Sequence, residues 1–341
     1  MQSMIDEYIL KILSGKDLEK NEMKNAAMEL TKGDYSPVVR GTFLSSLYLK
    51  GYSPDEITGF AEAIMSFSPI SEFRQCSDIV GTGGDHKGTI NVSTAASIVC
   101  SSLGIRMGKH GNRGITGKSG GADFMELCGY RFPGSRDEVM NGLINMNFSF
   151  ILAPLHNPAF RVFGEVRKML KHPTIFNLMG PLTNPLNPGI RVIGCTDSNI
   201  QETYSKSMLS SGTRGFVISS EEGMDEISYS GRSSLIQVGD DIRKFTVDAQ
   251  QIIGRKIGDE ETTGNEREDI FRKTLSGLNG TMRDASDFIA INAAPCILAS
   301  GLEHTFDDAY RTAQRAITSG IAIEKLMNIT GGKLKEAADA S

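Results

Sequence analysis

Cys76-Ser-Asp-Ile-Val-Gly-Thr-Gly-Gly-Asp85, continued by Asn91-Val-Ser-Thr-Ala-Ala-Ser-Ile-Val99, spells a strand, a glycine loop and a helix in that order. Cys76–Val80 is a short apolar run of strand type. From Gly81 onward, glycines let backbone N–H groups approach an anion closely, because no Cβ intervenes. Thr94 opens a run of helical character, and a helix N-terminus favours negative charge. This succession is the phosphate-holding geometry of α/β folds. The spacing matches neither G-x-x-x-x-G-K-[ST] nor G-x-G-x-x-G, so it is neither a P-loop nor a dinucleotide fingerprint.

A second cluster follows at once. Leu103-Gly-Ile-Arg-Met107 reads as the next strand, leading into Lys109-His-Gly-Asn-Arg113 and Gly114-Ile-Thr-Gly-Lys-Ser-Gly-Gly-Ala-Asp123. Lys109, Arg113 and Lys118 are three cations on what reads as one glycine-rich loop, with hydroxyls from Thr116 and Ser119. A lone glycine cluster is ordinarily a tight turn. Two polar clusters, each entered from an apolar run, point instead to a polyphosphate and a metal. Asp225-Glu226 is an adjacent acidic pair just past the strand-like run 215–218, and such hard oxygen donors suit Mg²⁺. On its own the pair would be a solvated charge. Arg167 lies on a short amphipathic helix after Asn157-Pro158; it is either a solvated charge or a bidentate partner for a substrate carboxylate. The run Gly180-Pro181 to Pro185 reads as a rigid crossover.

Working outward, the first seventy or so residues are helical. Ile5, Tyr8, Ile9, Ile12 and Leu13 recur at helical spacing, with Ser3 and Asp6 as a cap. Further helices are expected at 17–31 and 36–50, and Ser53-Pro54-Asp55-Glu56 starts another. From Phe73 the pattern changes to strands at 78–80, 103–107, 148–153, 190–194 and 215–218, with helices such as 93–102 and 199–211 between them. That alternation predicts an α/β fold with a mostly parallel sheet. Residues 255–268 read as an exposed polar loop, and helices at 284–300 and 306–327 close the chain.

With 341 residues the chain has room for two domains. A net charge of -5 gives no reason to expect nucleic acid or an anionic membrane as partner. The cysteines at 76, 100, 128, 195 and 296 include no C-x-x-C pair, which excludes a zinc ribbon and favours a reducing cytoplasm over a disulfide framework. No apolar run reaches membrane-spanning length, and the first residues do not read as a secretion signal.

Taken together, Gly-Thr-Gly-Gly-Asp, Asn-Val-Ser-Thr, Lys-His-Gly-Asn-Arg and Gly-Pro-Leu-Thr-Asn-Pro, in this order, resemble the anthranilate phosphoribosyltransferase family, over nearly the whole chain. The resemblance implies a nucleoside phosphorylase/phosphoribosyltransferase-like fold. Its small all-helical domain would take 1–70 with roughly 160–186, and its larger α/β domain 73–159 with 187–341. It also implies an active site in the cleft between them and a homodimer formed through the helical domain. The reaction expected is transfer of phosphoribosyl from phosphoribosyl diphosphate to anthranilate, with Mg²⁺, in tryptophan biosynthesis. Carried over by position, Gly81, Gly84, Asp85, Thr89, Asn91, Val92, Ser93 and Thr94 would bind the donor. Lys109, His110, Gly111, Asn112, Arg113, Gly114, Ile115, Thr116, Gly117 and Gly121 would continue that site. Ser93, Asp225 and Glu226 would hold Mg²⁺. Lys109 would neutralise the leaving diphosphate, while Asn112 and Arg167 meet the aromatic acid.

The chain departs from the family pattern at four places. Gly117 and Gly121 stand where hydroxyls are usual. His156-Asn157-Pro158 replaces Tyr-His-Pro, and Lys171-His-Pro-Thr174 replaces Gly-x-Arg-Thr. Three other readings stay open at this point: another aromatic amine as acceptor, a relative that binds a partner without catalysis, and a pyrimidine nucleoside phosphorylase. The last typically carries Lys-His-Ser-Thr-Gly-Gly where this chain has Gly81 to Asp85.

Overall fold

The computed structural model describes residues 4–70, 72–114 and 119–334. The chain forms two compact units, Met1–Ser71 with Ala153–Pro185, and Glu72–Leu152 with Leu186–Ser341.

The first unit is helical. Met4–Leu13, Lys20–Lys32, Pro37–Lys50 and Pro54–Met65 are joined by Ala153–His156, Pro158–Leu170 and Ile175–Met179, then a 3-10 turn at Gly180–Leu182. Ile5, Ile9 and Ile12 are buried as their spacing predicts, whereas Leu13 is exposed. Ser3 of the expected cap lies outside the described residues. At Ser53 the predicted start is present: Glu56 N–H donates to Ser53 Oγ at 3.2 Å, and Ser53 N–H donates to Glu56 Oε2 at 2.8 Å. Glu56 is fully buried, and Lys50 Nζ at 2.8 Å matches its charge. Phe60, Phe163 and Phe176 pack with ring centroids 5.1 to 5.9 Å apart, joining the two chain segments in one core.

The second unit carries a seven-stranded sheet. Its strands are β1 (Ser77–Gly81), β2 (Met107–Gly111), β3 (Phe148–Leu152), β4 (Ile190–Gly194), β5 (Arg214–Ser220), β6 (Arg232–Val238) and β7 (Ile242–Asp248). The order is β3-β2-β1-β4-β5-β6-β7. The first five run parallel, and β6 and β7 are antiparallel. Ile79, Phe150, Val192 and Phe216 pack in one core with the helices Val92–Ser102 and Arg283–Ser300. Continuous apolar burial on these strands is what helices on a parallel sheet require.

Several expectations need correction. The second strand is 107–111, not 103–107. The helix Val92–Ser102 runs out through Gly104, at φ 87°, and only then does Met107 pair with Phe148. Lys109 and His110 therefore lie in a strand rather than on a loop. The hairpin β6–β7 was not expected, although Gly239-Asp240-Asp241 between two alternating runs is a turn signal. The last helix divides into Phe306–Thr318 and Ile321–Ile329, because Gly320 at φ 84° ends the first. The segment returning to the helical unit starts at Ala153, ahead of 160, since a helix follows β3 without a loop.

Candidate active site

The parallel strands β1 and β4 end side by side, Gly81 opposite Gly194. A Cβ on Gly81 would collide with the Asp225 carboxylate, and one on Gly194 with the Asp225 carbonyl. These two glycines are what admits the segment after β5 over the strand ends. That segment is held on both flanks. Met224 N–H donates to Ser220 Oγ at 2.7 Å, and Ile227 N–H donates to Asn292 Oδ1 at 2.8 Å.

The loop after β1 turns back through Gly83 and Gly84, at φ 68° and 82°. Gly83 N–H donates to Asp225 Oδ2 at 2.7 Å, and Thr89 Oγ1 donates to Glu226 Oε1 at 3.3 Å. Asp85, Asp225 and Glu226 each bring an oxygen within 4.8 Å of the others. Asp85 Oδ2 and Glu226 Oε2 are buried and accept no hydrogen bond from the described residues. Burial raises the Asp85 carboxyl above its ordinary range. Burial, and then the charge of Asp85, pushes Asp225 up to about 6. Burial, and then the charges of Asp225 and Asp85, raises Glu226 strongly. Carboxylates crowded in this way need protons or a cation. Oxygen donors of this kind, two of them with spare lone pairs, fit Mg²⁺. Sequence reasoning had placed Asp85 with the donor. The fold puts its side chain in the acidic cluster, and no short-range signal could have shown that. Ser93, half-buried, stands at the start of the helix Val92–Ser102.

The remaining donor-site candidates fall into distinct groups. Lys109 is only 3% exposed. Its Nζ donates to the His110 carbonyl at 2.8 Å and lies 5.9 Å from the Phe150 ring centroid. Burial lowers the pKa of its ammonium, against the attraction of Asp78 and Asp225. His110 is also buried, and its N–H donates to Asp78 Oδ1 at 3.1 Å. A Cβ on Gly111 would press on the Phe150 ring. The Asn112 carbonyl accepts from the Ala122 N–H at 3.3 Å, its Oδ1 accepts from the Arg113 N–H at 2.8 Å, and Arg113 pairs with Glu126. Gly114 N–H donates to Asp123 Oδ2 at 2.8 Å. Ile115, Thr116 and Gly117, with Lys118, lie outside the described residues.

Asn91 caps the helix that Thr94 belongs to, and its Oδ1 accepts from Ser119 Oγ at 3.3 Å. Val92 is part of the core, and its N–H donates to the Ile90 carbonyl at 2.7 Å. A Cβ on Gly121 would collide with the buried hydroxyl of Thr94, which accounts for the missing side chain at that position.

Arg167 belongs to the helical unit. Its guanidinium lies 4.8 Å from the Phe176 ring centroid, no acid among the described residues pairs with it within 4.0 Å, and burial lowers its pKa to about 10. Asn157 is committed to the fold. Its Nδ2 donates to the Ile64 carbonyl at 2.7 Å, and its Oδ1 accepts from the Ala159 N–H at 3.0 Å. A cavity of about 780 Å³ opens at the opposite ends of the strands, among Arg74, Arg106 and Arg214, and contains none of the candidate residues.

Comparison with known proteins bears on the family and the fold. The sequence profile of the glycosyl transferase family a/b domain matches residues 74–323, and that of the glycosyl transferase family helical bundle domain matches residues 6–68. The anthranilate phosphoribosyltransferase of Picrophilus torridus is 44% identical over 298 residues, covering 87% of this chain and 91% of the relative. That of Thermoplasma acidophilum is 37% identical over 325 residues, covering 94% and 98%. Among solved structures, the anthranilate phosphoribosyltransferase of Thermus thermophilus superposes with a TM-score of 0.86 at 28% identity, over 96% of this chain and 99% of that one. The Saccharomyces cerevisiae enzyme in complex with PRPP and Mg shares the fold, with a TM-score of 0.87 at 23% identity, over 98% and 99%.

Proposed function

The chain belongs to the anthranilate phosphoribosyltransferase family, and on that premise we propose that it transfers the 5-phosphoribosyl group from phosphoribosyl diphosphate to the amino group of anthranilate, releasing diphosphate, in tryptophan biosynthesis. It is a pentosyltransferase. The observation that carries the reading is the acidic cluster of Asp85, Asp225 and Glu226 laid over the glycine ends of β1 and β4.

In the reaction the bond from the ribose anomeric carbon to diphosphate breaks. A bond from that carbon to the amine nitrogen forms, and an amine proton passes to water. Charge separation in an oxocarbenium-like state is the costly part, so electrostatic stabilisation matters more than a covalent nucleophile. The main-chain N–H groups around Gly81 and Gly84, with Thr89, Asn91, Ser93 and Thr94, cradle the donor, and Gly114, its own N–H held by Asp123, fixes where the second glycine run begins. Lys109 acts from inside β2, its charge balancing the acids and the leaving diphosphate. Magnesium held by Asp85, Asp225 and Glu226, with Ser93 as a further ligand, would supply Lewis-acid neutralisation of the diphosphate oxygens. Asn112 and Arg167 orient the aromatic acid, and the guanidinium of Arg167, which pairs with no acid among the described residues, is suited to its carboxylate. Positioning of this kind replaces a general base, because an aryl amine attacks in its neutral form.

Asn157 favours a second acceptor reading. Its amide is taken up by Ile64 and Ala159, so where the family pattern has a histidine this side chain is committed to the fold. Another aryl amine carrying a carboxylate remains a candidate. A panel of arylamines with phosphoribosyl diphosphate and Mg²⁺, read by diphosphate release and product mass, decides. Anthranilate should be the best acceptor; no release with any amine would overturn the reading.

Two further features are part of the proposal. Exposed Leu10, Leu13, Val38 and Leu49, on the helices Met4–Leu13 and Pro37–Lys50, support a homodimer formed through the helical unit. The five cysteines are free and buried, which supports a reducing, cytoplasmic setting.

A further inference from the structure

The stretch from Asp259 to Arg267, read from the sequence as an exposed loop, touches both glycine loops. On one side Ile90 N–H donates to the Thr262 carbonyl at 2.9 Å, Gly264 N–H donates to the Gly88 carbonyl at 2.8 Å, and Thr89 bridges Thr263 in antiparallel fashion. A Cβ on Gly264 would crowd Ile270, so this close pairing needs the glycine. On the other side, Arg267 Nη2 lies 3.4 Å from Asp123 Oδ1 and 3.7 Å from Glu126 Oε2.

Asp123 is itself a tie. It is 7% exposed, and its Oδ2 accepts from the N–H groups of both Gly114 and Gly120, each at 2.8 Å. One carboxylate oxygen therefore fixes the two flanks of the second glycine run. Glu126, which shares Arg267 with Asp123, also pairs with Arg113. Glycine loops have little conformational preference of their own, so the spacing between them must be set from outside.

We propose that Asp123 and Arg267 are positioning residues of the donor site, with the 259–267 stretch bracing the first glycine loop against the second. The inference rests on the donor-site reading given above. Neither residue need touch the donor; each acts through the backbone groups that do. Loss of the brace should therefore weaken donor binding and spare the acceptor.

Steady-state kinetics and melting temperatures of Arg267→Ala, Arg267→Lys, Asp123→Asn and the Asp123→Asn/Arg267→Ala double variant test this. Arg267→Ala should raise KM for phosphoribosyl diphosphate roughly tenfold, about the effect of one coupled charge pair, with the acceptor KM held within about twofold. Arg267→Lys should restore most of the loss, since contacts of 3.4 and 3.7 Å are charge contacts rather than bidentate hydrogen bonds. In Asp123→Asn the amide oxygen still accepts two N–H groups but the charge is gone, so adding Arg267→Ala should change little more. A folded Arg267→Ala with unchanged donor KM, or strictly additive effects in the double variant, overturns the proposal. If Asp123→Asn fails to fold, the comparison of Arg267→Ala with Arg267→Lys decides alone. Absence of diphosphate release from the unsubstituted protein would instead overturn the function reading.

Discussion

Asp225 is lodged against Gly81 and Gly194, takes one backbone N–H from Gly83, and shares its surroundings with Asp85 and Glu226. Its carboxyl is raised to about 6, so in the metal-free protein ionising it costs more than it does in water. A carboxyl raised on folding contributes stability below its unfolded pKa and loses it as pH rises through the folded value. Metal-free protein should therefore melt lower at about pH 7.5 than at about pH 5.5, and Mg²⁺ should raise Tm more at the higher pH. Asp225→Asn with Glu226→Gln should flatten both trends and cripple turnover. A double variant with unchanged Mg²⁺ dependence removes the metal assignment. The carboxylates that partners hold low, Glu22, Glu62, Glu138 and Asp284, change protonation below this window and do not blur it. At Arg167 the expectation is different. Arg167→Ala should raise the acceptor KM by about 10- to 100-fold, the worth of a charge-assisted hydrogen bond, and leave the donor KM alone. The acidic pair and Arg167 were legible as residues, because their chemistry is unusual for their setting. Asp85 as a metal candidate was not, because the separation of 140 positions between it and Asp225 is closed only by β-strand pairing.

The helix Pro158–Leu170 is set by its two ends. Asn157 caps its start and reaches the Ile64 carbonyl as well. Asn157→Ala should cost about 1–3 kcal/mol in urea unfolding, through a lost cap and an unsatisfied carbonyl. The acceptor KM of the folded variant should not change; a large rise would mean the amide serves the substrate after all. At the other end Lys171 sits at φ 54° and ψ 19°, a left-handed conformation that strains a residue with a Cβ. Lys171→Gly should stabilise by about 1 kcal/mol in the same assay, and a neutral or destabilising result would show that the lysine side chain repays the strain. Elements with strong local signals were legible: the Ser53-Pro54 start and the buried Ile5, Ile9 and Ile12. The second strand lies four positions later than expected because Leu103 to Met107 reads like a strand, and only pairing with β1 and β3 selects Met107 to Gly111.

Two chain segments far apart in sequence build the helical unit, and the sheet unit is likewise discontinuous. The exposed Leu13 and Leu49 should be covered by a second copy of the chain. Leu13→Asp with Leu49→Asp should turn a dimer into a folded monomer, measured by sedimentation equilibrium. A wild-type monomer at micromolar concentration, or a double variant that is still dimeric, would remove this interface. From the sequence by itself, the apolar periodicities gave a helical unit and an α/β sheet unit, the glycine and acidic motifs gave a site for a polyphosphate and a metal, and phosphoribosyl transfer followed only from the resemblance of those motifs to a known family. Strand, loop and helix propensities are local, and so are the residue types that such chemistry needs. The tertiary structure alone decided that Asp85 joins Asp225 and Glu226, that Lys109 is enclosed in a strand, and that the polar stretch ending at Arg267 meets both the first glycine loop and Asp123. Each of these depends on strand order and register, which arise from packing between distant segments and leave no trace in any short window of sequence.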